Sequence, residues 1–526
     1  MGDPTERLPE RTDVLVVGAG PVGLSTAIVL RMWGAEVVVV DRDPAPIGAS
    51  RAVWIHPRTT ELLHGIGVAE QARARGVLLD CVQVHRGATP HGSIPYDGRG
   101  RTSFPEGLIL EQAKLQHLLL DRAEQLAVPV RWSSRVGTVE QTGDGVRTTL
   151  RTPDAAEHRI DAGWVVGADG AASTVREQVG LELVGDTYET AIFTGDLAMR
   201  TPLSRRRGHL SVTIGRTFAL LPLPGEDRWR VMGTVPADVQ RSLGRDAGPT
   251  GGPVLDIAQV RSLLAGLRIE HDIVDVEWAT LFRSHHRVVD TYRAGRVLLA
   301  GDAAHIHSPA GGLGMNTGIG DAVDLGWRLG LALRRAPGSA HHLLDTYSHE
   351  RRGVAQHVLR TSDRAFTIQA GSGPVLGALR SVLMPAVPGI LNMTDRGRRL
   401  AFELLSQIGA TYRTRRGSDD LAVGDRLPLA IAADGATSHD LLRPDRFVLI
   451  GLGDQPLDQL LQVVVDHGLP VVRHRLPAQH QILSALHRPA GTALLIRPDG
   501  HVSWIGDGDD SQSLASGLLS ITESAL

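Results

Sequence analysis

Val14-Leu15-Val16-Val17-Gly18-Ala19-Gly20-Pro21-Val22-Gly23 decides how this chain is read. A run of aliphatic and β-branched residues is the pattern of a short strand buried on both faces. The run ends directly in a GxGxxG turn, and residues 24–33 then turn helical before Gly34 stops them. A second apolar strand over 36–40 ends at Asp41. In that setting Gly18 permits the tight turn, Gly20 lets backbone amides approach a pyrophosphate, and Gly23 lets the helix pack closely on the strand. Pro21 and Val22 open a helix whose N-terminus faces the phosphates. Asp41, with Arg42 beside it, stands about 20 residues on, where an adenosine ribose is held. The stretch predicts a Rossmann-like dinucleotide site. FAD and NAD stay open at this point, because both carry the ADP half that such a fold binds.

Far downstream, 295–301 reads as another short buried strand running into a turn, with Asp302 at its end. Ser308-Pro309-Ala310-Gly311-Gly312-Leu313-Gly314-Met315-Asn316 follows and opens a helix over 316–334, with Ile319, Val323, Leu325 and Leu329 on a helical period. The unpaired N–H groups and dipole of such a helix start favour negative charge in front of it. Between these regions lies Trp164-Val165-Val166-Gly167-Ala168-Asp169-Gly170-Ala171-Ala172-Ser173-Thr174-Val175-Arg176.

The three segments, in this order over about residues 11–365, resemble the single-component FAD-dependent aromatic hydroxylases, the para-hydroxybenzoate hydroxylase superfamily, in its polyketide and phenol branch. The resemblance implies FAD as the cofactor, with Asp302 on the ribityl chain and the bend from Pro309 through Gly312, Leu313, Gly314, Met315 and Asn316 against the pyrimidine edge of the flavin ring. It places Asp169 near the flavin and a passing nicotinamide, supported by Arg176. Arg51, Gln112 and Val136 fall where relatives contact FAD. One departure is Gln116, where relatives usually carry glutamate. The implied chemistry is reduction of the flavin by NADPH or NADH, addition of O2 as a hydroperoxide, and hydroxylation of an aromatic small molecule, either a phenol, a polyketide or an antibiotic. Oxygen insertion beside a ketone, or sequestration of an aromatic compound by a flavin-loaded binding protein, are the alternatives. A homodimer is expected on resemblance alone.

The rest of the chain fits this reading. Residues 187–235 alternate apolar and polar positions as an antiparallel sheet does, and by resemblance that sheet roofs the substrate cavity. Phe193, Arg216, Phe218 and Leu220 are its expected lining, and His56 either reaches the cavity or is structural. The His285-His286 and His305, His307 pairs lack metal-ligand spacing, so no metal is expected. From about Arg415 a new globular segment resembles a thioredoxin-like domain with a Pro498-Asp499-Gly500 hairpin turn; it contains no cysteine, which excludes thiol redox chemistry there. The expected class is α/β, α+β overall: an FAD-binding domain in two parts (1–185 and 281–400), an inserted substrate sheet (186–280) and the C-terminal domain (401–526).

A chain of 526 residues with 42% hydrophobic and 21% charged residues supports two or three domains. Its net charge of -3 gives no attraction to nucleic acid. The single cysteine, Cys81, can form no internal disulfide. With no secretory signal and no uninterrupted apolar run of membrane-spanning length, a cytoplasmic protein without membrane contact is expected.

Overall fold

A computed structural model of the chain describes residues 8–48, 52–153, 156–213, 216–235, 254–308, 310–335, 340–370, 386–413, 420–431 and 437–522, with single positions at 239, 384 and 435. Strand Arg11–Val17 leads into helix Pro21–Met32, and strand Val37–Val40 returns parallel to the first. Strand Glu157–Gly167 pairs in parallel on the other side of Arg11–Val17, and Val297–Leu299 pairs in parallel beyond it. The register sets Val17 opposite Gly167 and Gly167 opposite Leu299. Parallel strands finish at a common edge, so the three sequence motifs that follow these strands leave the sheet side by side.

Helix Leu313–Leu333 lies across helix Pro21–Met32 at very short range. A methyl group on Gly318 would sit 2.6 Å from Val22, one on Gly326 2.6 Å from Val29, and one on Gly330 2.5 Å from Trp33. Helix Ala340–Ala370 packs beside it, continuing into residues 366–370, where the sequence pattern had loosened.

The second sheet takes strands Val184–Arg200, Arg207–Thr213, Arg216–Pro222, Arg228–Val235 and Asp272–Val288, each antiparallel to its neighbour within this group, as the alternation predicts. It also takes Cys81–Arg86, parallel to Arg207–Thr213, and then Thr89–Pro95 and His305–Ile306. These strands come from stretches on the far side of the expected borders at 186 and 280, because strand pairing in space sets the sheet.

The C-terminal sheet runs Val471–Leu476, Phe447–Leu452, Thr492–Ile496, Val502–Asp507, with the first pair parallel and the rest antiparallel. Helices Asp458–Asp466, His480–Leu486 and Ser511–Thr522 complete a thioredoxin-like arrangement. Residues 424–428 form no strand; isolated bridges tie Asp425 to Thr411 and Arg426 to His501. No helix among the described residues is long and apolar enough to cross a membrane.

Arg426 also binds this domain to helix Pro57–Gly65. Its Nε and Nη2 donate to the two Glu61 carboxylate oxygens at 2.9 and 2.5 Å, and Arg58 and Thr102 donate to the same group. Burial works to raise the Glu61 carboxyl, but Arg426, His439 and Arg58 outweigh it and hold the group well below the usual carboxylate range. A depressed folded-state value means that this stabilisation is present above the unfolded value of 4.5 and is lost as the pH falls below it. Glu61→Gln is expected to cost about 3 to 5 kcal/mol near neutral pH, since it leaves a buried guanidinium uncompensated. In denaturant titrations of both proteins, that gap shrinks by up to about 1.4 kcal/mol per pH unit below the unfolded value; a gap independent of pH is the contrary result.

Candidate functional site

The edge where the three motifs meet is shaped by glycines with different tasks. Gly18 has φ of 107°, and a Cβ there would lie 2.3 Å from the Ala168 carbonyl oxygen. A Cβ on Gly23 would lie 1.9 Å from the Gly18 carbonyl oxygen, so this glycine lets helix and strand touch. Gly20 is different: no atom lies within 4 Å of a Cβ built there. It precedes Pro21 and Val22 at the start of a helix that no side chain caps, which leaves amide donors facing an open approach. Asp41 reaches back across this turn, its Oδ2 accepting from the Ala19 N–H at 2.6 Å, and Arg42 is exposed beside it.

The segment after the second strand is pinned from helix Gln112–Gln125. Gln112 exchanges hydrogen bonds with the Ala52 backbone. Gln116 donates to the Ala19 carbonyl at 2.7 Å and accepts from the Ile47 N–H at 3.2 Å. An ionised glutamate could accept but not donate, so the departure noted in the sequence suits this carbonyl. Val136 is buried in strand Arg135–Gln141. Arg51 and Pro309 lie outside the described residues.

Asp302 is exposed on a short 3-10 turn that rests on Val22. Gly311 and Gly312 take left-handed φ of 80° and 64°, and Gly312 starts helix Leu313–Leu333 with no side-chain cap. A Cβ at Gly314 would meet nothing within 4 Å, while Met315 packs partly buried against the main core. Asn316 fastens the loop: it accepts from the His56 N–H and donates to the carbonyls of Trp54 and Gly312. His56 is buried, which lowers its pKa to about 4, and its Nε2 donates to the Gly311 carbonyl at 2.8 Å. It is therefore a neutral ring bracing the glycine loop.

Asp169 accepts from the Ser173 hydroxyl and the Val175 N–H, and burial raises its carboxyl above the usual range. Arg176 makes no hydrogen bond to it; the guanidinium donates instead to the Ala171 and Ala303 carbonyls, tying this motif to the Asp302 turn. Asp321 accepts from the Gly301 N–H and faces His305 Nε2 at 2.6 Å, so that histidine serves the same turn.

The second sheet turns towards the glycine loop a different face from the one that carries Phe193, Arg216, Phe218 and Leu220, the expected lining. Phe193, Phe218 and Leu220 pack with Val260, Leu263 and Leu264 of helix Ile257–Leu264, and Arg216 donates to the Leu263 carbonyl at 3.0 Å. The opposite face carries Leu210 and Leu221, which join Trp54, Tyr96 and Phe402 in one apolar cluster. Trp54 lies against Gly312, 3.1 Å from a Cβ built there, so this cluster adjoins the glycine loop. Both faces are apolar, and alternation alone does not say which one meets the loop. Trp54 and Tyr96 had no signal in the sequence beyond being aromatic. The same face holds a buried ion pair, Arg230 with Asp196, to which Trp278 Nε1 donates at 2.8 Å.

Two uncapped helix starts on one edge, open ground ahead of Gly20 and Gly314, and an exposed acid on the turn between them suit an extended, doubly anionic nucleotide with a ring at its far end. The residues fit FAD, and fold and site together define an FAD-binding oxidoreductase. An FAD binding domain family matches residues 11–362, and a family described as aromatic-ring hydroxylase, C-terminal, matches 421–525. The 6-methylpretetramide 4-monooxygenase of Streptomyces rimosus is 31% identical, with 97% of this chain and 93% of the relative covered. The OxyS anhydrotetracycline hydroxylase structure from the same species gives a TM-score of 0.77 at 30% identity, covering 98% of this chain and 100% of that one. Aklavinone-11 hydroxylase, solved as a ternary complex with FAD and aklavinone, gives 0.76 at 25% identity, covering 98% and 100%. The chain belongs to the FAD-dependent aromatic-ring hydroxylases and is a flavin-dependent monooxygenase.

The glycine geometry separates two variants. Gly23→Ala forces its methyl into the Gly18 carbonyl and is expected to lower the melting temperature sharply, as overpacking costs of about 1 to 3 kcal/mol or more require. Gly20→Ala has room to fold and is expected to keep the apoprotein's melting temperature while weakening FAD binding, measured by fluorescence on reconstitution. Equal loss of stability in both variants would contradict this division of labour.

Proposed function

We propose that this enzyme hydroxylates an aromatic small molecule of phenolic or polyketide type, using O2 and a transient nicotinamide donor. The observation that carries the reading is the apolar wall beside the glycine loop, where the partly buried Trp54 lies against Gly312 and Tyr96, Leu210, Leu221 and Phe402 back it; a flat ring would stack against that wall. Three of its relatives are named for 6-methylpretetramide, anhydrotetracycline and aklavinone. Bound FAD supplies the redox chemistry, taking hydride from the donor and activating O2.

The chain's own residues do the placing. The N-termini of helices Pro21–Met32 and Leu313–Leu333 hold negative charge, the first at the phosphates and the second beside the ring. Gly312 through Asn316 carry the ring edge, while Asp41 and Asp302 are the acids for the two sugar-derived portions. On the other side of the Asp169 motif a groove of about 690 Å³ opens between Ala171-Ala172 and the strand bearing Arg283, His285 and Arg287, with Arg176 and Ile306 on its wall. The Arg283 and Arg287 guanidiniums suit the phosphates of NADPH or NADH, and the acids Glu177 and Glu182 also line the groove.

The test is NADPH oxidation and product mass with anhydrotetracycline in air. Mass gain of one oxygen that needs the reductant is the expected result; binding without turnover, across a panel of phenols and polyketides, overturns it in favour of sequestration, and an ester product shows oxygen insertion beside a ketone. Arg287→Gln is expected to raise the KM for NADPH about 5- to 50-fold, the loss of a charge-assisted phosphate contact, with FAD content unchanged. An unaltered KM rules the groove out as the donor's approach.

A further inference from the structure

The Pro498-Asp499-Gly500 turn is the tip of the hairpin formed by strands Thr492–Ile496 and Val502–Asp507. Hairpin tips ordinarily face solvent, yet Arg497, Asp499 and His501 are buried, at 8%, 3% and 3% exposure. Asp499 accepts two bonds from Arg497, at 3.1 and 2.6 Å, and faces His501 Nδ1 at 3.0 Å, which sets the guanidinium rigidly. Arg497 then reaches out of its own domain, donating to Asp324 on helix Leu313–Leu333 and to Glu350 on helix Ala340–Ala370, each at 3.1 Å.

One helical turn away the same two helices are joined a second time. Arg351, next to Glu350, donates through Nε to Asp321 at 2.7 Å, three residues before Asp324. The other Asp321 oxygen accepts from the Gly301 N–H, at the turn that presents Asp302. Tyr412 links the two crossings: its hydroxyl accepts from Arg351 Nη1 at 3.1 Å, and its ring lies 4.8 Å from the Arg497 guanidinium carbon. Around Arg497 three carboxylates, Asp324, Glu350 and Asp499, face two guanidiniums, those of Arg497 and Arg328. Deleting Arg497 leaves three acids, Asp324 and Asp499 buried and Glu350 partly so, facing one guanidinium, an imbalance that helix movement relieves.

We propose that the C-terminal domain is a working part of the flavin site: Arg497, seated by Asp499, sets the register of helices Leu313–Leu333 and Ala340–Ala370, and through Arg351 and Asp321 holds the Gly301-Asp302 turn where the cofactor needs it. Arg497 is a positioning residue, acting on the cofactor through these intermediaries. The domain's lack of cysteine then marks a role in geometry in place of thiol chemistry.

The experiment compares FAD dissociation constants, from reconstitution of the apoprotein, with amide exchange over 300–306 in Arg497→Met, Arg497→Lys and Tyr412→Phe. Glu61→Gln serves as the control, because it breaks another tie between the domains while keeping Arg497 and every side chain bonded to it; Arg58, which donates both to Glu61 and to the Asp499 carbonyl, is also kept. Arg497→Met is expected to weaken FAD by about 5- to 150-fold, the span of ordinary coupling between sites, and to speed exchange over 300–306 while 208–213 stays unchanged. Arg497→Lys restores part of the affinity, and Tyr412→Phe shifts both readouts less in the same direction. Glu61→Gln leaves the FAD constant within about twofold of the parent, below the lower end of that coupling range. The proposal is overturned if Glu61→Gln weakens FAD as much as Arg497→Met, or if folded Arg497→Met binds FAD as the parent does with unchanged exchange. Should Arg497→Met fail to fold, unchanged FAD affinity and exchange in Tyr412→Phe overturn it.

Discussion

Everything at the cofactor edge depends on how closely two helices approach. Helix Leu313–Leu333 is laid on helix Pro21–Met32 with no side chain between them at Gly318, Gly326 and Gly330, where Val22, Val29 and Trp33 fill the space. The contact fixes the two helix starts relative to each other, and with them the glycine turn at 18–23 and the glycine loop at 311–314. Parallel pairing of the three central strands brings the motifs to one edge, but the interhelical contact spaces them. Close packing tolerates little volume change, so the seam acts as a ruler for an elongated cofactor.

A good part of this was legible in the sequence, because it rests on local rules. The strand at 11–17, the glycine turn and the acid at 41 are one short-range unit, and the Asp169 and Asp302 motifs carry their own turns. Gln112, which falls where relatives contact FAD, and Gln116 pin the segment beside the cofactor edge, a tie that the sequence alone does not reveal. What could not be read is set by long-range packing. Phe193, Phe218 and Leu220 have the right character for a cavity wall and lie on the face packed against helix Ile257–Leu264, and with both faces of the sheet apolar no local pattern tells the two apart. Arg176 supports Asp169 by charge and through Ser173, which accepts from the Arg176 N–H and donates to the carboxylate, while its guanidinium donates to the Ala171 and Ala303 carbonyls, a partner choice no local pattern gives. The burial of a charged hairpin tip contradicts the usual meaning of Pro-Asp-Gly, and no local pattern announces the helices that receive it.

Polar groups buried in this molecule are concentrated where segments distant in sequence meet. Glu61 with Arg426, Asp321 with Arg351 and Asp324 with Arg497 each join different elements. Burial together with the neighbouring Asp499 and Glu350 acids lifts the Asp324 carboxyl to about 7 even though Arg328 and Arg497 oppose it. Buried ion pairs contribute little net stability compared with apolar packing, but breaking one is costly. Their value here is that each admits one relative placement of the parts it joins.

The second sheet has eight strands, of which Cys81–Arg86, Thr89–Pro95 and His305–Ile306 come from outside the 184–288 stretch. The polypeptide thus passes between the two sheets repeatedly, and neither is a contiguous module. A chimaera that exchanges only the central insert with a relative brings five strands to an edge shaped for its former companions. Recombination between homologues, in the laboratory or in a genome, preserves the pairing of this sheet only when the crossover points carry the 81–95 hairpin along with the insert.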